Sequence, residues 1–368
     1  MKRRIWFALT VVAGVALVAL AAGPFEQWQR SGHANQLLAV MEATVEARGT
    51  GAAGCGRCHA QQGYVVYLQQ LQSGFSGNIR KPDGTDADVE YLTSLGLTEA
   101  QVQPQTCTAC HSAESFQLRI RDDVPTLPSG FSAQGVGKGA VCMTCHNTRN
   151  GRITWDAADA GRYTAPHTAS QADVLMGKNS YFVNDTTLAT ASPHALFTGN
   201  ACVTCHLIFG EEGHTFEPGE AVCTNCHGPN MQEEFVQEPT EHLLGLLAAA
   251  IGRRVAQAGA QIATVRAYDP TTGQFTDNFA VDGSQVTGAE PTEIRGQISL
   301  KLLLADGTAV YSQLRDVKDA AGQAVIATTD PLVRAAWNFF LIEGDDSLGV
   351  HNPRFARNVL NASIEALQ

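Results

Sequence analysis

Along ISLKLLLADGTAVYSQL the apolar positions Ile298, Leu300, Leu302 and Leu304 alternate with neighbours on the other face, and the run stops at Asp306-Gly307. A period of two is that of a strand with one buried side, and Asp-Gly between two such runs is a strong hairpin signal. QIATVRAYDPTTGQF has the same β character, so a small β-rich unit is expected over 255–328. Helical periodicity flanks it. Upstream, 238–254 opens on Pro239 with Thr240 in a capping role and sets Leu243, Leu246, Leu247, Ala250 and Ile251 on one face. Downstream, 329–368 holds two expected helices, one from Pro331 to about Leu341 and one from Pro353 to about Leu367.

The rest of the chain has a different texture. Residues 1–22 carry Lys2, Arg3 and Arg4, then an apolar stretch, then Ala19-Leu20-Ala21, the layout of a secretory signal peptide. The apolar run from Ile5 to Ala22 is also just long enough to span a bilayer, so an uncleaved anchor is the alternative. Residues 23–237 have few long apolar runs and many Gly, Pro, Ser and Thr connections. Side chains alone give little core there.

What that segment has instead is cysteine and histidine. Cys-x-x-Cys-His occurs at Cys55-Cys58-His59, Cys107-Cys110-His111, Cys142-Cys145-His146, Cys202-Cys205-His206 and Cys223-Cys226-His227, which accounts for all ten cysteines. A zinc ribbon or a thioredoxin-type dithiol uses Cys pairs but leaves the following His without a reason. Attachment of c-type haem uses all three residues, because two thiols add to the vinyl groups and the adjacent imidazole binds the iron from the proximal side. Five repeats without a leftover cysteine point to five haems c. They also point to an exported location, periplasmic or extracellular, with a membrane-anchored protein as the alternative. The fold expected is a multihaem cytochrome c: a mostly α and irregular haem-packed domain, a small β-rich C-terminal unit and terminal helices. Its core over 23–237 is expected to be built from porphyrin rather than from side chains.

The number of spare histidines bears on whether an iron is left open. An iron with a single axial imidazole can bind small molecules, whereas one with two is saturated and suited to electron transfer. Six remain: His33, His167, His194, His214, His242 and His351. Five are assigned as distal candidates, namely His33, His167, His194, His214 and His351. His242 is left out because it falls in the first turn of an amphipathic helix, where a polar residue needs no further role. Met143 lies between the cysteines of a motif and is excluded by geometry; Met41, Met176 and Met231 read as packing residues.

The formal net charge of −11 disfavours nucleic acid and anionic membranes as partners and suits redox partner proteins with basic faces. Self-assembly into an oligomer or filament is a further partner expectation, and contact with a membrane depends on retention of the N-terminal helix.

FEQWQRSGHA, CGRCHAQQGY, APHTASQADVLMGKN, SPHALFTGNACVTCH, GHTFEPGEAVCTNCH and DDSLGVHNPRFARNVL together resemble the multihaem c-type cytochromes related to ammonia-forming nitrite reductase, hydroxylamine-oxidoreductase-like proteins and extracellular cytochrome filaments. The resemblance implies distal ligation by histidines in settings like those of His33, His167, His194, His214 and His351. It does not carry over a catalytic site. All five motifs end in His, where the nitrite reductase typically has one Lys, and there is neither a sixth motif nor a tyrosine in the role of the porphyrin cross-link. Electron transfer through five mainly bis-histidine haems, without catalytic residues, is therefore the leading expectation. The rivals are a reductase of nitrite, hydroxylamine or a sulfur oxyanion with one open haem, a subunit of a conducting filament, and a membrane-anchored quinol-oxidising cytochrome.

Overall fold

The computed structural model describes residues 23–155, 162–183, 190–208, 212–219, 222–232 and 234–368. The signal or anchor expected over 1–22 lies outside them. Among the described residues no helix is long and apolar enough to cross a membrane.

The N-terminal part is a set of short helices and loops around helix α1 (Ala52–His59) and helix α2 (Gln61–Gln72). Its interior is not left to a cofactor alone. Tyr64, Tyr67, Leu68 and Leu71 of α2 sink into a side-chain core with Ile79, Leu92, Leu97, Leu127 and Met143. The expectation of a core made from porphyrin rather than side chains is corrected to that extent. The core is nevertheless rich in small residues: among the described residues 13 of its 30 buried members are alanine, against 6 of 31 in the C-terminal core.

The β-rich unit is one antiparallel sheet of five strands, β1 (Thr264–Tyr268), β2 (Phe275–Ala280), β3 (Val286–Ile294), β4 (Gln297–Leu304) and β5 (Ala309–Gln313), in the order β2-β1-β5-β4-β3. Ile298, Leu300 and Leu302 on β4 are fully buried, and Asp306-Gly307 turns the chain into β5 with Gly307 at φ 85°. A second hairpin joins β3 to β4 through Arg295 and Gly296, both at positive φ, 54° and 75°. Two consecutive left-handed residues suit the twist of a two-residue hairpin.

The long helix preceding the sheet, here α3, runs Glu234–Ala258. It starts before the expected position, so Pro239 lies inside it and Thr240 does not cap it; the Thr240 hydroxyl donates to the Val236 carbonyl at 2.9 Å. Pro239 lacks the N–H that a helix would direct at residue 235, a loss tolerable near a helix start but costly in its middle. Helices α4 (Pro331–Glu343) and α5 (Pro353–Glu365) close the chain. Each begins with Pro at its first position and a capping side chain before it: Asp330 accepts from the Leu332 N–H at 2.8 Å, and Asn352 from the Phe355 N–H at 3.2 Å.

Both terminal helices pack on α3, and α3 packs on β3. They also reach back to the N-terminal part. The Asn352 amide donates to the carbonyls of Val174 and Thr190, Ser170 donates to the Leu341 carbonyl, and the Trp337 indole donates to the Asn179 carbonyl. A strap at 163–165 bonds to the β3–β4 hairpin through Ile298 N–H to the Tyr163 carbonyl and Ala165 N–H to the Gly296 carbonyl. The C-terminal core accordingly includes Ala165 and Val174.

Candidate functional site

Each Cys-x-x-Cys-His motif forms a helical turn. In three of them the His N–H bonds to the carbonyl of the first Cys at 2.9 Å: His111 to Cys107, His146 to Cys142 and His227 to Cys223. The first motif ends α1, and the fourth passes into the wider turn Thr204–Ile208. One turn of this kind puts both thiols on one side and the imidazole beyond them, as a two-thioether attachment with an axial ligand requires. All ten cysteines are free thiols. Among the described residues no group of three or more Cys, His, Asp or Glu converges to hold a metal ion as a zinc ribbon would.

The spare histidines lie opposite the motif histidines. Ring centroids are 6.1 Å apart for His59 and His167, 6.0 Å for His146 and His33, 6.0 Å for His227 and His194, and 6.2 Å for His206 and His351. In each pair one imidazole belongs to a motif and the other does not. The remaining motif histidine, His111, is a neighbour of the remaining candidate, His214, whose pKa is lowered by burial and by the charge of His111. His242 is exposed on α3. Two metal–nitrogen bonds of about 2 Å each, plus the radius of each ring, add to roughly 6 Å between centroids. The four measured gaps match that sum.

Orientation is set at the other nitrogen of the ring. The Nδ1 atoms of His111 and His206 lie 2.9 and 2.7 Å from the carbonyls of Phe116 and Phe216. That of His146 is 3.2 Å from the Gln171 side-chain oxygen, and that of His194 is 3.2 Å from the Val350 carbonyl. His351 differs, with its Nδ1 2.7 Å from a carboxylate oxygen of buried Asp345. An imidazole that donates from Nδ1 has Nε2 free as a ligand, and the acceptor tunes its basicity. None of these acceptors is predictable from the motifs; they sit in loops or, for Gln171, in the helix that follows His167.

Most of these imidazoles are kept neutral. Burial, with the nearby His146, lowers His33 to about 4, and burial with Arg149 lowers His167 to about 4. His59, His146, His194 and His206 are lowered as well, in each case chiefly by burial. His351 moves the other way: burial would lower it, but the charge and hydrogen bond of Asp345 outweigh that and raise it.

The motifs are also close to one another. The thiols of Cys58 and Cys145 are near enough to act on each other's ionisation, as are those of Cys142 and Cys202. Cys110 acts electrostatically on both Cys142 and Cys145, and Cys205 feels Cys223 and Cys226. The third motif thus touches the first and the fourth and lies beside the second, while the fifth adjoins the fourth. A small cavity lies at the first motif, lined by Cys55, Cys58, His59, His167, Arg57 and Arg149. Arg57 is buried, donates to the carbonyls of Ser76 and Gly77, and has an Nε without a partner.

The donor set fits covalently bound haem on three counts: unbridged thiol pairs, facing imidazoles one metal atom apart, and apolar side chains left open beside the motifs. Phe116, Phe197 and Ile208 are 66, 83 and 55% exposed.

No family model matches the chain, and no curated protein matches it in sequence. Among solved structures, an outer cell wall cytochrome, OcwA, is similar with a TM-score of 0.47 and 16% identity, over 94% of this chain and 50% of that one. The chain therefore spans about half the length of that cytochrome, and a likeness of this size assigns neither family nor function.

Proposed function

We propose that the chain is a pentahaem c-type cytochrome that passes electrons outside the cytoplasm through five bis-histidine sites. The observation that carries this reading is the pairing of motif and non-motif imidazoles at 6.0–6.2 Å, repeated four times. Bound haem supplies reversible one-electron chemistry at iron. The chain's residues do the rest: ten cysteines tether, His59, His111, His146, His206 and His227 bind proximally, and His33, His167, His194, His214 and His351 bind distally. Two strong-field imidazoles leave no iron face for a substrate, so no general acid or base is required. Proximity of the third motif to the first, second and fourth makes it the junction of the path, with the fifth reached through the fourth.

The test is intact mass after unfolding together with paramagnetic resonance of the oxidised protein. Five thioether-bound haems, all low-spin, and little carbon monoxide binding after reduction are expected. Fewer haems with free thiols would overturn the attachment; a high-spin iron that binds carbon monoxide stoichiometrically or reduces nitrite rapidly would favour an enzyme with one open haem.

A further inference from the structure

The imidazole acceptors are not alike. Among the described residues five of the paired histidines have an Nδ1 partner, and four of those partners are neutral oxygens: two backbone carbonyls on motif histidines, one on His194, and the amide of Gln171. The fifth is the carboxylate of Asp345. Its side chain is fully buried, with one oxygen on His351 and the other accepting from the Ser347 hydroxyl, which in turn accepts from the His351 N–H at 3.1 Å. Among the described residues no Lys or Arg pairs with it, and the adjacent Asp346 adds negative charge at His351. A buried carboxylate without a cation is costly. The loop nonetheless invests in holding it there: Asp346, Leu348 and Gly349 all take positive φ, and Gly349 approaches Thr240 on α3 so closely that a Cβ would lie 2.6 Å from its hydroxyl.

A carboxylate on the far nitrogen of a ligating imidazole makes that ligand more basic and favours the more positive state of the metal. Ferric iron with two imidazoles carries one more positive charge than ferrous iron. We propose that Asp345, acting through His351, lowers the reduction potential of the haem held by Cys202, Cys205, His206 and His351, making it a low-potential step between the third and fifth sites. This rests on the bis-histidine reading above. The cation that the buried Asp345 lacks among side chains is supplied by the oxidised centre. The one-electron balance is simple: on reduction the site gains one electron from the redox partner, the net positive charge facing Asp345 falls by one, and no bond is made or broken.

The experiment is a potentiometric titration of the full-length holoprotein, read by visible and paramagnetic resonance spectra, for the wild type, Asp345→Asn and Ser347→Ala. Asp345→Asn keeps the shape and an acceptor oxygen but removes the charge, so one midpoint of five should rise while all irons stay low-spin. The expected rise corresponds to about a tenfold change in the oxidised-to-reduced ratio, 59 mV for one electron. Ser347→Ala frees the carboxylate from its second partner and should move the same midpoint downward. If both variants keep five low-spin haems and five unchanged midpoints, the proposal is overturned and Asp345 is only structural. If Asp345→Asn turns one iron high-spin, Asp345 holds the ring in place rather than setting a potential, which also overturns it. A wild type without five low-spin haems would overturn the bis-histidine reading itself, a result separate from either.

Discussion

At the level of single residues, four of the six spare histidines face a motif imidazole and His242 does not. His351 faces His206 at 6.2 Å, whereas His242 stands exposed on α3. His351→Ala is expected to convert one haem to high spin, and His242→Ala to leave every spectrum unchanged; resonance spectra of the two variants check both. Acid sensitivity follows from burial. Burial lowers His33 and His167 to about 4 in the folded chain without iron, against about 6.5 unfolded, and a bound iron would likewise hold them neutral. Their contribution is complete above pH 6.5 and is lost as pH falls towards 4, because only the unfolded chain gains those protons in that window. At 1.36 kcal/mol per unit this is on the order of 3 kcal/mol for each imidazole. The urea midpoint should therefore fall between pH 6.5 and 4, and a flat profile there would refute it. Which histidines to consider could be read by counting in the sequence, but which meets which could not. His33 faces His146 rather than the motif nearest to it in sequence, a long-range closure with no local signature. Asp345 was equally invisible, since it sits in an irregular loop with no period to betray it.

Elements with a strong period were legible, and those that depend on tertiary contact were not. The alternation on β4, the Asp306-Gly307 turn and the two terminal helices follow from local pattern and capping. The Arg295-Gly296 hairpin does not, because Arg is not a residue that advertises a left-handed turn. Nor does the early start of α3, since Pro239 reads as a boundary until packing overrides it. Two glycines on α3 separate these influences. A Cβ on Gly252 would lie 2.5 Å from the Ala289 carbonyl on β3, whereas Gly245 has nothing within 4 Å. Gly252→Ala should destabilise the holoprotein by about 1–3 kcal/mol as helix and sheet are pushed apart. Gly245→Ala should stabilise it by about 0.4–1 kcal/mol through helix propensity and a less free unfolded chain. Thermal unfolding of the two variants, read against each other, tests the close approach of α3 to the sheet.

Over the whole molecule, two cores of different character share one chain. The C-terminal core is aliphatic and aromatic, with Trp337, Phe339, Phe340 and Phe355; the N-terminal one is rich in alanine. The net charge of −11 gives the molecule a field that should speed encounter with cationic redox mediators at low ionic strength. Stopped-flow oxidation by a cationic and an anionic mediator should show opposite salt dependence, and the same slope for both would count against electrostatic steering. The His206–His351 pair has a consequence in time as well as in space. Chains are made from the N-terminus, and three of the four facing pairs are complete in sequence once His227 has emerged. The fourth motif alone must wait for residue 351, beyond the sheet and α4. A chain cut short within the sheet would carry every attachment motif yet keep one coordination position unfilled, open to carbon monoxide or peroxide. Docking of the C-terminal helices, rather than cofactor attachment, would then be the step that closes that iron.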